Sequence, residues 1–196
     1  MKKNKLMLTL FCCLCVAQIA VPISMIIHRE DILRTGALYR FRTEPVDPSD
    51  AFRGRYVALD VQASRMLIKD KDEFERGEKL YAELTRDENG MAKIKKLTRK
   101  PPDSEDYLKV RVMYWFTRPI DGDKNRRVGM LRLDMPIKRY YMDEYEAPRA
   151  ERAYNSRSRS GEVNSFVDVR VKRGEAVVEE LYIGEKPVYE YLKDMR

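Results

Sequence analysis

The sequence predicts a mainly β or α+β body carried behind one membrane-crossing helix. Three observations predict it: an uncharged apolar run near the start, a series of period-two segments divided by glycine, proline and aspartate turns, and few helical patterns after residue 38. The body is expected to be a compact, mostly antiparallel sheet or partly open barrel with one or two short helices.

From Leu6 to Ile27 there is no charged side chain. As a helix this stretch would be roughly 33 Å long at about 1.5 Å per residue, against a hydrocarbon core of about 30 Å. Lys2, Lys3 and Lys5 precede it, and His28, Arg29, Glu30 and Asp31 follow with mixed sign. The positive-inside bias therefore places residues 1–5 in the cytoplasm and the chain after the span on the far side of the membrane. The run is longer than the apolar region of a cleaved signal peptide, and Met25-Ile26-Ile27 is no small-x-small cleavage site. Cys13 follows Cys12 and Cys15 follows Leu14, so neither has the small residue that a lipoprotein acceptor needs before it. A retained signal-anchor over residues 6–27 is the expectation, with Pro22 as a tolerated kink. Only five residues precede the span, which leaves no room there for a cytoplasmic signalling module.

The 3 cysteines, Cys12, Cys13 and Cys15, all fall inside the run. No disulfide framework is available to the body, and in an apolar helix these residues read as packing groups rather than a redox or metal pair. Of 39 Lys and Arg, three lie before the span, so the rest exceeds the 32 acids by only four. Acids interleave with bases almost everywhere, which argues against nucleic acid as a partner.

Residues 28–38 read as a linker or short helix ending near Gly36, and 39–196 as the exported domain. Tyr39 to Arg42 alternates as a first strand. Glu44-Pro45-Val46-Asp47-Pro48-Ser49-Asp50 has turn chemistry, because prolines fix φ and aspartates accept from nearby amides. Tyr56 to Val61 resumes an extended pattern after Gly54. Arg76-Gly77, with Tyr81 and Leu84, weakly echoes that glycine-entered strand. Leu80 to Thr85 and Met91 to Leu97 flank Asn89-Gly90, a hairpin signal. In Tyr107 to Phe116, Leu108, Val110, Val112, Tyr114 and Phe116 are expected on one face, with Trp115 opposite as a possible partner anchor. Arg126 to Leu133 is the returning strand. Ala147 to about Tyr154 is a short helix, and Asn155 to Gly161 a mobile loop. Alternating valines from Val163 to Val171, then Arg173-Gly174 and Ala176 to Ile183, form a terminal hairpin. Seven to nine strands result.

The segment from Glu44 to Leu59 resembles the signature region of the GDYXXLXY family, bacterial proteins with an N-terminal hydrophobic helix. Pro45, Asp47, Pro48, Asp50, Gly54, Tyr56 and Leu59 carry the likeness. Arg55 stands where the name-giving Asp would be, and Val61 where the final Tyr would be. The resemblance implies no defined activity, and it implies a polytopic membrane protein as partner.

No phosphate loop, dinucleotide fingerprint, zinc spacing or serine elbow is present, so no catalytic, cofactor-binding or metal residue is assigned. His28, the only histidine, lies at the membrane boundary and excludes a histidine-based triad in the body. Tyr56, Tyr81 and Tyr114 read as cross-strand packing. The leading expectation is an anchored interaction domain, accessory to another envelope or membrane protein. The alternative is a membrane-tethered enzyme or metal-dependent hydrolase using the Asp47/Asp50 turn, although a hard cation wants about six oxygen ligands and no such series of acids surrounds Gly54.

Overall fold

The computed structural model describes residues 2–44, 56–68, 73–120, 123–160 and 164–195. Helix α1, Lys2–Thr35, contains the apolar run and continues beyond it. None of its most apolar stretch is covered by the rest of the protein, and the stretch is long and apolar enough to cross a membrane. Only its last turns touch the body. Ile32 is buried there, Lys172 Nζ donates to Asp31 Oδ2 and Thr35 Oγ1 (2.7 Å each), and His28 meets Glu175 at 2.9 Å.

Gly36 then turns the chain without a linker, its N–H donating to Ile32 O at 2.8 Å. A Cβ at this position would lie 2.5 Å from that same oxygen and 3.1 Å from Val171 O. Only glycine lets the helix end approach the sheet this closely.

Strand β1, Ala37–Glu44, follows at once and places Tyr39, Phe41 and Thr43 inside while the arginines between them point outward. It pairs with β10, Ser165–Lys172, Phe41 opposite Val167 and Tyr39 opposite Val169. Strand β10 returns as β11, Glu175–Ile183, through Arg173 (φ 48°) and Gly174 (φ 89°), the left-handed pair of a tight hairpin turn. With β3 (Asp60–Val61) and β12 (Lys186–Pro187) the first sheet runs β12-β11-β10-β1-β3. The second runs β4-β8-β7-β5-β6 and comprises β4 (Arg65–Ile68), β5 (Lys79–Arg86), β6 (Ala92–Thr98), β7 (Tyr107–Ile120) and β8 (Asp123–Asp134). A two-stranded sheet joins β2 (Tyr56–Ala58) to β9 (Arg139–Tyr141). All strand pairings are antiparallel.

One core joins the layers. Phe41, Val169 and Leu181 of the first sheet pack in the same cluster as Leu80, Leu108, Leu131 and Leu133 of the second. Helix α2, Ala147–Ser160, adds Ala150, Ala153 and Tyr154, and α3, Val188–Asp194, adds Val188 and Leu192. Both sheets keep open edges, so the body is α+β and not a closed barrel.

Four expectations need correction. Asn155 to Ser160 continues α2 rather than forming a loop; the small residues at 147, 150 and 153 and Tyr154 seat its first turns on the core, and the helix runs on from them. Tyr56 to Val61 is two strands with different partners, divided at Leu59. Twelve strands occur among the described residues, exceeding the expected count mainly through pieces of two or three residues. Finally, an extra residue at Met113 breaks the β7 ladder: Val112 faces Leu133, but the next pairs are Tyr114 with Arg132 and Trp115 with Leu131. The bulge exchanges the faces beyond it. Trp115 therefore shares the side of Leu131 and Tyr114 takes the other, both about half exposed.

Three tyrosines bury their rings and donate their hydroxyls: Tyr39 to Asp106 Oδ2 (3.0 Å), Tyr140 to Glu180 Oε1 (2.8 Å) and Tyr154 to the Glu44 carbonyl (2.6 Å). Burial, reinforced by the Asp106 carboxylate, pushes the Tyr39 phenol up to about 12, and burial raises Tyr140 and Tyr154 as well. These folded-state values exceed the ordinary value near 10, so the unfolded chain releases these protons first and stability is lost as pH rises from about 10 through 12. Denaturant midpoints measured across that interval should fall steadily. Mutation of Tyr39 to Phe should flatten the slope, and an unchanged slope would contradict the assignment.

The turn at Gly174 offers a second check. A Cβ there would lie 2.7 Å from Lys109 Cγ and 2.8 Å from Tyr107 Cε2, whereas one at Gly77 (φ 85°) would meet open space. Gly77→Ala should cost about 1 kcal/mol from backbone strain alone. Gly174→Ala should cost about 2 kcal/mol or more in thermal denaturation, because strain and overpacking add.

Candidate functional site

The motif segment is described from Tyr56 onward; Pro45, Asp47, Pro48, Asp50 and Gly54 lie outside the described residues. The Asp47/Asp50 turn and the position of Arg55 lie outside them too. Tyr56 and Leu59 have distinct roles. Tyr56 stands opposite Tyr141 across the β2–β9 pair with ring centroids 5.9 Å apart in an edge contact, and the Arg139 guanidinium sits 4.7 Å from the Tyr56 ring centre. Leu59 is buried, and its N–H donates to Lys138 O at 2.9 Å. Val61, where the motif would have tyrosine, is fully inside the core opposite Thr43.

Between the two buried residues Leu59 and Val61, Asp60 points the other way and meets two arginines. Arg65 and Arg132 are directly opposed across the β4–β8 pair, an arrangement that repels unless an anion lies between them. Asp60 supplies the anion. Its Oδ1 accepts from Arg132 at 2.7 Å and its Oδ2 from Arg65 at 3.3 Å. A second nitrogen of Arg65 binds the Glu44 carboxylate, and a second nitrogen of Arg132 donates to Ser64 Oγ at 2.7 Å. The single hydroxyl proton of Ser64 goes to Val61 O at 2.6 Å, the closer of its two acceptors.

This network forms one side of an open cleft of about 320 Å³, which also includes Tyr56, Leu59, Met113 and Arg139. Its two carboxylates are already neutralised, Asp60 by arginines and Asp134 by Lys138 at 2.6 Å. Ser64 accepts from a cation and has no histidine to activate it, so the cleft offers polar recognition rather than a poised nucleophile or base. Among the described residues, no group of three or more His, Cys, Asp and Glu side chains converges as a metal site.

Sequence reasoning missed Glu44, Asp60, Ser64, Arg65 and Arg132. The strict alternation of Val57, Leu59 and Val61 marks Asp60 only as outward-facing, and it takes the register of a four-residue strand to bring Arg65 beside Arg132. The tyrosines behave as expected of packing groups: besides Tyr56, Tyr81 meets Tyr107 at 5.5 Å and Tyr114 meets Phe116 at 6.0 Å.

Asp60→Ala leaves two half-buried guanidiniums facing each other and should cost about 2–3 kcal/mol, below the range for fully buried pairs because water still reaches this one. Adding Arg132→Leu removes the repulsion, so the double variant should be more stable than the single one in urea melts. If the two losses simply add, Asp60 does not serve as the bridge.

No curated protein and no solved structure matches the chain significantly. A family model described as GDYXXLXY protein matches residues 18–181, from within the apolar helix to the end of the terminal hairpin. That span includes Tyr56, Leu59, the Asp60 bridge and every strand except β12 in full or nearly so. The chain belongs to the GDYXXLXY family.

Proposed function

We propose that this protein is a single-pass membrane-anchored accessory protein, with its N-terminus in the cytoplasm, its α+β domain on the far side of the cytoplasmic membrane, and a polytopic membrane protein as its partner. The observation that carries the reading is the apolar helix itself. Its large side chains are uncovered along the whole run, from Leu6 (61% exposed) to Ile27 (63%). A monomer in water does not leave so large an apolar surface open, whereas hydrocarbon covers it at no cost to the backbone, whose hydrogen bonds a helix satisfies internally.

The joint at Gly36 supports the rest. The helix enters β1 without an intervening loop and is held by Asp31, Thr35 and His28, so the domain is carried close to the bilayer in a fixed pose rather than on a free leash. Confinement at the membrane raises the effective concentration of a neighbouring integral protein, and a contact too weak to persist in solution can then be occupied. The cleft lined by Tyr56, with its cations and its neutralised acids, is the surface assigned to that contact.

A reporter fused at the C-terminus should be active only in its exported form, and the purified protein should have the mass of the chain with residues 1–27 retained. A product beginning after Ile27, or a cytosolic tail, would overturn the anchoring. Co-purification in mild detergent should yield an integral membrane protein whose recovery falls about tenfold with Tyr56→Ala, in line with the loss of an aromatic anchor worth roughly 1.4 kcal/mol.

A further inference from the structure

The outer face of the second sheet carries an unbalanced charge. Lys79 and Arg111 are directly opposed across β5 and β7, and Lys109 follows two residues away on the same face, opposite Tyr81. Like charges so placed repel, and at Arg65 and Arg132 the same problem is solved by Asp60. Here it is not solved internally. Among the described residues no acid lies within ion-pairing distance of Lys79, Lys109 or Arg111; Asp134, opposite Arg111 in the ladder, is held by Lys138 at 2.6 Å. These cations border an open groove of about 360 Å³. Beyond the Met113 bulge the same face continues as Tyr114 and Phe116 on β7, with Leu67 on β4 63% exposed.

The cationic end of this face lies beside the root of the anchor helix. Lys109 N–H donates to Gly174 O at 3.0 Å, and the Lys109 stem covers the Gly174 backbone. Gly174 belongs to the turn after Lys172, which binds Asp31. Asp31 lies four residues past Ile27, about 6 Å along the helix axis, while the headgroup layer extends roughly 5–7 Å beyond the hydrocarbon. Near that level Lys172 is matched by Asp31, Arg173 by Glu105 and Arg34 by Glu30.

We infer that this face binds anionic phospholipid headgroups of the bilayer that α1 crosses, Lys79, Lys109 and Arg111 taking the phosphates and the aromatic end lying at the interface. The inference rests on the anchoring proposed above. Lipid fits better than a soluble anion because the cations continue into exposed Tyr114 and Leu67 with Phe116 between them partly covered, residue types that settle at a membrane boundary.

The test uses the full chain in nanodiscs of phosphatidylcholine alone or with roughly a quarter phosphatidylglycerol, an anionic surface of physiological strength. A water-soluble amine-acylating reagent reads each lysine by mass spectrometry. Lys79 and Lys109 should react about fivefold more slowly in the anionic discs, the factor expected for one basic residue at such a surface, while Lys95 and Lys186, held by Glu83 and Asp194, should not change. Salt at about 1 M, which shortens the screening length to about 3 Å, should abolish the difference. Equal reactivity in both discs would overturn the lipid surface alone. Protection by soluble glycerol phosphate in neutral discs, without protection by phosphatidylglycerol, would also overturn it, in favour of a free anion. Failure of the chain to enter nanodiscs, or its release by alkaline carbonate, would overturn the anchoring, and this inference with it.

Discussion

The structure depends on the close approach at Gly36. A helix end presents carbonyls that need donors, and a sheet edge beside it presents more of the same. Here Ile32 O takes the Gly36 N–H, Lys172 bridges to Asp31, and the absence of a Cβ lets the chain enter β1 within van der Waals distance of Val171. β1 in turn pairs with β10 on one side and β3 on the other, so the joint fixes the middle of the first sheet. Displacing the helix end would disturb the sheet that carries Thr43, Val61 and, one residue away, the Asp60 bridge. Anchor, sheet and cleft are therefore mechanically continuous.

The cleft shows how charge is managed where strands impose unfavourable neighbours. Register alone forces Arg65 and Arg132 together, and the alternation of the motif strand delivers a carboxylate between them. That alternation runs unbroken across the change of partner at Leu59: Val57 and Leu59 bury against the core, Asp60 points outward, and Val61 lies inside beside Thr43. A tyrosine at 61 would need room for its hydroxyl where a wholly enclosed valine now sits. The departure from the motif at this position thus fits a core sized for valine.

What could be read from the sequence was whatever depends on local pattern. The apolar run, the Asn89-Gly90 hairpin and the alternating valines of β10 each announce themselves within ten to twenty residues, and each forms. What could not be read depends on pairing between distant segments or on a single inserted residue. Nothing near Met113 signals a bulge, yet it decides that Trp115 rather than Tyr114 follows the core side. The polar stretch after Tyr154 resembles loop composition, and only packing of the preceding alanines shows it as helix. The Asp60 network is hidden for the same reason: its arginines stand 67 residues apart, in strands whose alternation looks ordinary. The turn aspartates Asp47 and Asp50, which the sequence brings forward, lie outside the described residues, so the site was found through a different part of the same motif.

The two sites of opposed cations on the second sheet now explain one another. Beyond the span, bases exceed acids by only four, a surplus that spread evenly would say little. Around the cleft Asp60 and Asp134 hold the nearby cations, whereas among the described residues no acid pairs with Lys79, Lys109 or Arg111, which share one stretch of one sheet face. A fold able to place Asp60 between two arginines has the means to neutralise Lys79 and Arg111 as well; leaving them opposed costs stability. An arrangement that forgoes an available internal anion is best understood as holding the position for an external one. A rigid joint and an anionic headgroup surface would then act as two points of attachment for one domain.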